Sequence, residues 1–271
     1  MGLSNFHTHT TYCDGKHSPE EMVLSAIENK MTAIGFSVHS YTSRDLSYCI
    51  KKEKIADYQK ELYALKEKYK DKINIYCGTE LDVFSDMDLE GFEYFLAAVH
   101  YIEKDGVLLT VDGSAKEQLS DTDKYFDGDI LSYCEAYYET VKKIADIPGT
   151  GFIAHFDLVT KFNENGELFD EKHPRYVKAW QDAALHLIKM GVPFEINTGA
   201  ISRGARVTPY PRREIADFIV ENGGKFILTS DCHHKDMLLC AFDKIEDIYN
   251  GIEILDFEDS LKGNGNNPNH A

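Results

Sequence analysis

Residues 4–15 read Ser-Asn-Phe-His-Thr-His-Thr-Thr-Tyr-Cys-Asp-Gly, and the placing of His7-x-His9 decides how the rest of the chain is read. Leu3, Asn5 and Phe6 predict a short opening strand, with the two histidines where it ends. Residues i and i+2 of a strand face the same way, so both imidazoles can converge on one point. Beyond them, Asp14-Gly15 adds a carboxylate inside a turn. Neutral imidazole suits Zn, Fe and Ni, so the stretch is a candidate part of a metal site. By itself His-x-His is equally a chance pairing with one ring toward solvent. The later strands separate these two readings.

Ser18-Pro19-Glu20-Glu21 predicts a helix start, with an N-cap, a proline in the first turn and a capping-box glutamate. The apolar run 32–38 is a second strand ending at His39, and 53–70 is an amphipathic helix. A third strand, 73–79, ends at Glu80, and a fourth within 92–99 ends at His100. After a polar insertion at 103–128 and a helix near 130–146, a fifth strand at 151–154 ends at His155. A loop-like insertion covers 157–174, with a helix at 175–190 after it. The sixth strand, 192–196, ends near Asn197, a helix spans 211–222, and the seventh strand, 225–229, runs into Asp231 and His233. Residues 1–257 are expected to form one domain, and 258–271 a polar, flexible tail.

Strands alternating with helices predict a parallel sheet in the α/β class. The polar strand ends favour a distorted (β/α)7 barrel, TIM-like, over an open sheet. In a barrel the C-terminal strand ends share one face and surround one pocket. Six of the eleven histidines (His7, His9, His39, His100, His155, His233) fall at such ends. Any one alone is as readily a capped loop histidine. Together with Asp14, Glu80 and Asp231 they are nine candidate ligands on one face, more than a single ion needs. Two or three divalent ions are therefore expected, of Zn, Mn or Fe type.

Composition narrows the partners. The 271 residues carry a formal net charge of −17, which argues against a nucleic-acid surface. No apolar run is long enough for a membrane helix, nothing resembles a secretory signal, and the six cysteines are scattered. The expectation is a cytoplasmic protein with reduced thiols and no membrane association. Oligomeric state is not legible in the sequence.

HTHTTYCDG, His39, the isolated Glu80, His100, His155 and the terminal Asp231-x-His233 resemble the polymerase-and-histidinol-phosphatase (PHP) superfamily over residues 5–235. Length and the segment TGAISRGARVTPYP are similar to the monofunctional histidinol-phosphate phosphatases within it. The resemblance implies a distorted seven-stranded barrel with a trinuclear centre. One ion would take His7, His9, Glu80 and Asp231; a second would share Glu80 and add His100 and His155. The third would use Asp14, His39 and His233. Some members carry His where Asp14 stands, which bears on metal identity.

The residues support phosphate chemistry independently. Three divalent ions against three carboxylates leave a pocket that is locally positive despite the acidic chain. A small phosphorylated substrate is the expected partner. Arg203 and Arg206, in the loop Ser202-Arg203-Gly204-Ala205-Arg206 after strand six, are candidate phosphate clamps, with Ser202 beside them and Lys161 weaker. Glu117 and Asp157 lie in loops that could reach a substrate amine. The expected reaction is hydrolysis of a phosphomonoester by a metal-bridging hydroxide; the resemblance implies L-histidinol phosphate, in histidine biosynthesis, as the substrate. Asp231 or His233 is the candidate catalytic group that protonates the leaving alkoxide or organises a water that does, and the sequence does not assign the role between them. Rival readings are a nuclease or other phosphoesterase of the same superfamily, a C–N amidohydrolase on a related barrel, and a non-enzymatic metal-binding module.

Overall fold

A computed structural model describes residues 2–264. Seven strands form one parallel sheet: β1 (Ser4–Asn5), β2 (Ala33–His39), β3 (Asn74–Asp82), β4 (Tyr94–Ala98), β7 (Phe152–Ile153), β8 (Phe194–Asn197) and β9 (Phe226–Thr229). They neighbour one another in chain order, β1-β2-β3-β4-β7-β8-β9, and every pairing is parallel. The two ends then meet. His9 donates its backbone N–H to the Cys232 carbonyl at 2.8 Å and Cys232 donates to the His7 carbonyl at 3.1 Å, which closes a barrel-like ring. The expected seven-stranded barrel is the fold found.

Helices α1 (Pro19–Glu28), α2 (Ile55–Tyr69), α4 (Ile130–Lys142), α5 (Pro174–Ile188) and α7 (Arg213–Glu221) lie between successive ring strands. Local chemistry starts α1. The Ser18 hydroxyl accepts from the Glu21 N–H at 3.3 Å, and the Glu21 carboxylate accepts from the Ser18 N–H at 2.9 Å. This capping box satisfies two N-terminal donors reciprocally. All seven residues of β2 are buried, as a strand covered by helices on one side and by the ring interior on the other must be.

Period-2 alternation places the site. Ala33 and His39 share one face of β2, and Tyr76 and Glu80 share one face of β3. Phe6, Tyr94, Leu96, Phe152, Ile227 and Phe257 pack as an apolar cluster beneath the polar strand ends. Its rings meet edge-on: Phe257 lies 5.1 Å from Phe6 and 4.9 Å from Phe152 between centroids.

Phe257 opens a C-terminal helix (Phe257–Asn264), which corrects the expected boundary at 258. Glu258 is buried and accepts from Asn74 Nδ2 at 2.6 Å and the Tyr76 hydroxyl at 2.8 Å. One aromatic anchor and one carboxylate dock a stretch whose average composition reads as tail. The rest of the expected tail, 265–271, lies outside the described residues.

The 103–128 region is more ordered than its polarity implies. It forms an antiparallel hairpin, β5 (Tyr101–Lys104) with β6 (Val107–Thr110), followed by α3 (Ala115–Tyr125). Among the described residues no helix is long and apolar enough to cross a membrane.

Candidate metal centre

Glu80 is the hub. Buried at the end of β3, its carboxylate meets five imidazoles: His39 Nδ1 at 2.9 Å, His7 Nε2 at 3.2 Å and His9 Nε2 at 3.5 Å on Oε2, His155 Nε2 at 2.9 Å and His100 Nε2 at 3.3 Å on Oε1. Asp231 Oδ1 lies 3.2 Å from His9 Nε2 and 3.5 Å from His7 Nε2. Asp14 Oδ1 lies 3.2 Å from His233 Nε2 and 3.5 Å from His39 Nε2. All nine candidate ligands therefore converge at the mouth of the ring.

Their donor atoms fall into overlapping sets, each within 4.8 Å: His7 with His9 and Asp231; His7 with Glu80 and His155; His39 with Glu80 and His100; and His9 with Asp14, His39 and His233. Two details differ from the arrangement that the resemblance implies. His39 faces Glu80 through Nδ1 as well as Asp14 through Nε2, and His155 groups with His7 while sharing Glu80 Oε1 with His100.

The residues fit divalent cations on their own chemistry. His7 Nε2, His9 Nε2, Glu80 Oε2 and Asp14 Oδ1 are buried atoms without a hydrogen-bond partner. Unpaired buried polar atoms are costly, and a cation among facing imidazole and carboxylate donors removes that cost. The field is strong. Burial opposes charge on Glu80 and Asp231, yet His7, His39 and His100 hold Glu80 well below the usual carboxylate range, and Arg203 and His7 do so for Asp231. Burial also works against charge on His7, but Glu195, Glu80 and Asp231 outweigh it and raise its pKa. For His9, burial together with His233 and His39 pushes the pKa down.

Two glycines make room. A Cβ on Gly15 would lie 2.5 Å from the backbone of His9 and Thr10, so the turn carrying Asp14 folds back onto the ligand strand only with glycine there. A Cβ on Gly199 would lie 2.7 Å from Asp231 Cβ. Asp231 itself has φ of 46°, a left-handed conformation that aspartate tolerates better than most residues.

Next to the donors lies a cavity of about 670 Å³, lined by His39, His100, His155, Asp231 and His233 and by Arg203 and Lys161. Arg203 donates to Asp231 Oδ2 at 2.8 Å, and Lys161 donates to the Asp112 carbonyl at 2.8 Å. The loop after β2 contributes Asp45 and Tyr48, and the hairpin–α3 region contributes Asp112 and Glu117. Glu117 thus reaches the cavity, whereas Asp157 is buried behind it, accepting from the Arg212 N–H at 3.1 Å.

Arg206 corrects an expectation. It is not a cavity residue: its guanidinium is buried, pairs with Glu164 at 3.1 Å, bonds Thr160, and lies 4.7 Å over the Tyr210 ring. A guanidinium buried away from the cavity lining is not placed to clamp a phosphate. Ser202 is also turned away from the cavity, its hydroxyl donating to the Gly199 carbonyl at 2.7 Å within α6 (Gly199–Ser202).

Sequence reading missed two acids that hold ligands. Glu195 Oε1 lies 2.6 Å from His7 Nδ1, and Asp82 Oδ2 lies 3.1 Å from His100 Nδ1. Carboxylates behind metal-ligating imidazoles set the tautomer and ring orientation. A signal existed for each: Asp82 shares a strand face with Glu80, and Glu195 is an acid inside the apolar strand Phe194–Asn197.

A parallel barrel with imidazoles and carboxylates gathered around one glutamate at its C-terminal face defines a divalent-metal hydrolase-type site. The PHP domain family model matches residues 5–199, and the chain belongs to that family. A "probable histidinol-phosphatase" of Schizosaccharomyces pombe is 24% identical over 245 residues, covering 79% of this chain and 74% of its own. Another of that name from Deinococcus radiodurans is 24% identical over 247 residues, covering 86% of each chain. A crystal structure of histidinol phosphate phosphatase from Lactococcus lactis, complexed with Zn, L-histidinol and phosphate, has a similar fold. Its TM-score is 0.70 at 18% identity, over 94% of this chain and 95% of that one.

Proposed function

We propose that the protein is a metal-dependent phosphomonoesterase that hydrolyses L-histidinol phosphate to L-histidinol and phosphate, a step of histidine biosynthesis. The observation that carries this reading is the junction of nine donor residues, Glu80 at their centre, with a cavity that also holds Arg203 and Lys161. Histidinol-phosphatase names among relatives from a yeast and a bacterium support the alcohol half of the substrate, as does the phosphatase fold holding Zn, L-histidinol and phosphate.

His7, His9, Asp231, Glu80, His155, His39, His100, Asp14 and His233 would hold two or three divalent ions, with Glu80 shared between sets. Such ions supply Lewis acidity toward phosphoryl oxygens and a nucleophile derived from water at neutral pH. Arg203 and Lys161, two of the cations lining the cavity beside Lys16, would orient the phosphate. Arg206 and Ser202 have no part in it. His233 and the ionised Asp231 are cavity groups that would orient a water to protonate the leaving alkoxide. The acid-lined wall of Asp45, Asp112 and Glu117 suits an alcohol carrying positive charge better than a polyanionic strand. Six free thiols match a reducing compartment, the cytoplasm.

The test is metal analysis of the purified protein alongside turnover on L-histidinol phosphate, neutral alkyl phosphates and single-stranded DNA. Preferred turnover of histidinol phosphate with at least two ions per chain is expected. Full activity with fewer than two ions, or preference for DNA, would overturn the reading.

A further inference from the structure

We infer that Glu195 is a positioning residue of the metal centre, holding His7 in the tautomer that presents Nε2 and tying the His7 and His155 positions together. The inference rests on the metal-centre reading above, but not on the identity of the phosphate ester.

Glu195 is fully buried in β8, and four groups from the ends of four strands surround its carboxylate. On Oε1 are His7 Nδ1 at 2.6 Å and the Thr229 hydroxyl. On Oε2 are the backbone N–H of His155 at 2.8 Å and Asn197 Nδ2 at 2.9 Å. The amide of Asn197 cannot turn round freely, because its Oδ1 accepts from the Gly199 N–H at 2.8 Å. A backbone N–H and an amide NH₂ can only donate, so Oε2 must accept twice. An ionised carboxylate accepts at both oxygens and satisfies all four partners when His7 carries its proton on Nδ1.

That proton placement leaves the lone pair on His7 Nε2. This atom is buried without a hydrogen-bond partner, 3.2 Å from Glu80 Oε2 and 3.5 Å from Asp231 Oδ1. One carboxylate thus sets the ring of His7 and, through the backbone N–H, the start of the segment carrying His155. His7 and His155 belong to one donor set with Glu80. Asp82 acts more narrowly, accepting from the His100 N–H at 2.8 Å and lying 3.1 Å from His100 Nδ1. Asp82→Asn is therefore the control that disturbs a different ligand.

Glu195→Gln keeps the shape and removes one acceptor. If its NH₂ faces His155 N–H and Asn197, donors oppose donors. If it faces His7 and Thr229, the threonine hydroxyl can rotate, but His7 relieves the conflict only by moving its proton to Nε2, which closes that nitrogen to a cation. Removing a ligand's supporting partner typically weakens metal binding about 10–100-fold.

The experiment has two arms on the full chain. Histidine-ring ¹⁵N NMR of the wild-type protein is expected to show His7 protonated at Nδ1; protonation at Nε2 alone overturns the inference. Chelator titration with metal analysis is then run on the wild type, Glu195→Gln and Asp82→Asn, each checked for fold by circular dichroism. The expected result is a 10–100-fold loss of affinity in Glu195→Gln at the donor set that His7, Glu80 and His155 share, with the ion of the outer set of His9, Asp14, His39 and His233 retained. Wild-type affinity at that set, or a loss confined to the outer set, overturns it. Should the variant not fold, the wild-type tautomer still decides. A wild-type protein that binds no ion would instead defeat the metal-centre reading, and this inference with it.

Discussion

Arg203 donates to Asp231 twice, from Nη2 to Oδ2 at 2.8 Å and from Nη1 to the backbone carbonyl at 3.0 Å. The carbonyl bond lies at a residue in the left-handed region, so the arginine braces an uncommon backbone conformation as well as a carboxylate. The same guanidinium lines the cavity. Arg203→Ala is expected to lower kcat/KM on histidinol phosphate by on the order of 10²-fold, the scale for losing one preorganised donor. Arg203→Lys should recover only part, because an ammonium lacks the fork. Steady-state kinetics with near-wild-type values for the alanine variant would refute the role.

Arg206 should behave in the opposite way. Its side chain is buried against Glu164, Thr160 and Tyr210. Arg206→Met leaves Glu164 without its nearest cation, and breaking a buried pair typically costs about 3–5 kcal/mol. Thermal unfolding should shift down by on the order of 10 °C, while kcat/KM per folded molecule stays within about threefold. A large kinetic loss without a stability loss would return Arg206 to the phosphate.

Asp14 sits on the outer donor set with His39 and His233, and burial of its carboxylate is outweighed by those two histidines, which lower its pKa. Asp14→Ala is expected to lose one ion per chain while the ions at His7 and His9 stay bound. Chelation of the wild type should remove all ions and lower Tm, because ligands that bind only the folded state add stability by mass action. Loss of every ion or of none in the Asp14 variant, measured by elemental analysis, would contradict a separate outer site.

Asp129 gives a pH prediction remote from the metals. It caps α4, accepting from the Leu131 N–H at 3.1 Å, and pairs with Arg175 at 2.7 Å. The Arg175 hydrogen bond lowers its pKa from 3.8 to about 2. A lowered carboxylate pKa stabilises the fold above the unfolded value and ceases to as pH falls through the folded one. Asp129→Ala should cost about 1 kcal/mol at pH 6, the usual worth of a cap, or roughly 2–4 °C in Tm. The gap from wild type should narrow below pH 4. A gap independent of pH would show that the charge contributes nothing.

Local pattern made the barrel and its ligands legible. His39, Glu80, His100, His155 and Asp231 stand at or within two residues of strand ends, and short-range alternation and periodicity predict where strands end. The capping box at Ser18 was legible for the same reason. Misjudged features depended on what packs against what. Arg203 and Arg206 are three residues apart in one loop, yet one faces the cavity and the other is buried beneath it. Phe257 and Glu258 read as the edge of a polar tail until Phe6, Asn74 and Tyr76 are beside them.

The sequence alone determined that seven parallel strands would bring His7, His9, Asp14, His39, Glu80, His100, His155, Asp231 and His233 to one face. Tertiary structure alone decided which nitrogen of each ring faces which acid, and that Glu195 stands behind His7. Those two residues are 188 apart in the chain. Strand-end position follows from interactions between near neighbours, whereas a hydrogen-bond partner is fixed by distances of a few tenths of an ångström that exist only once the ring has closed.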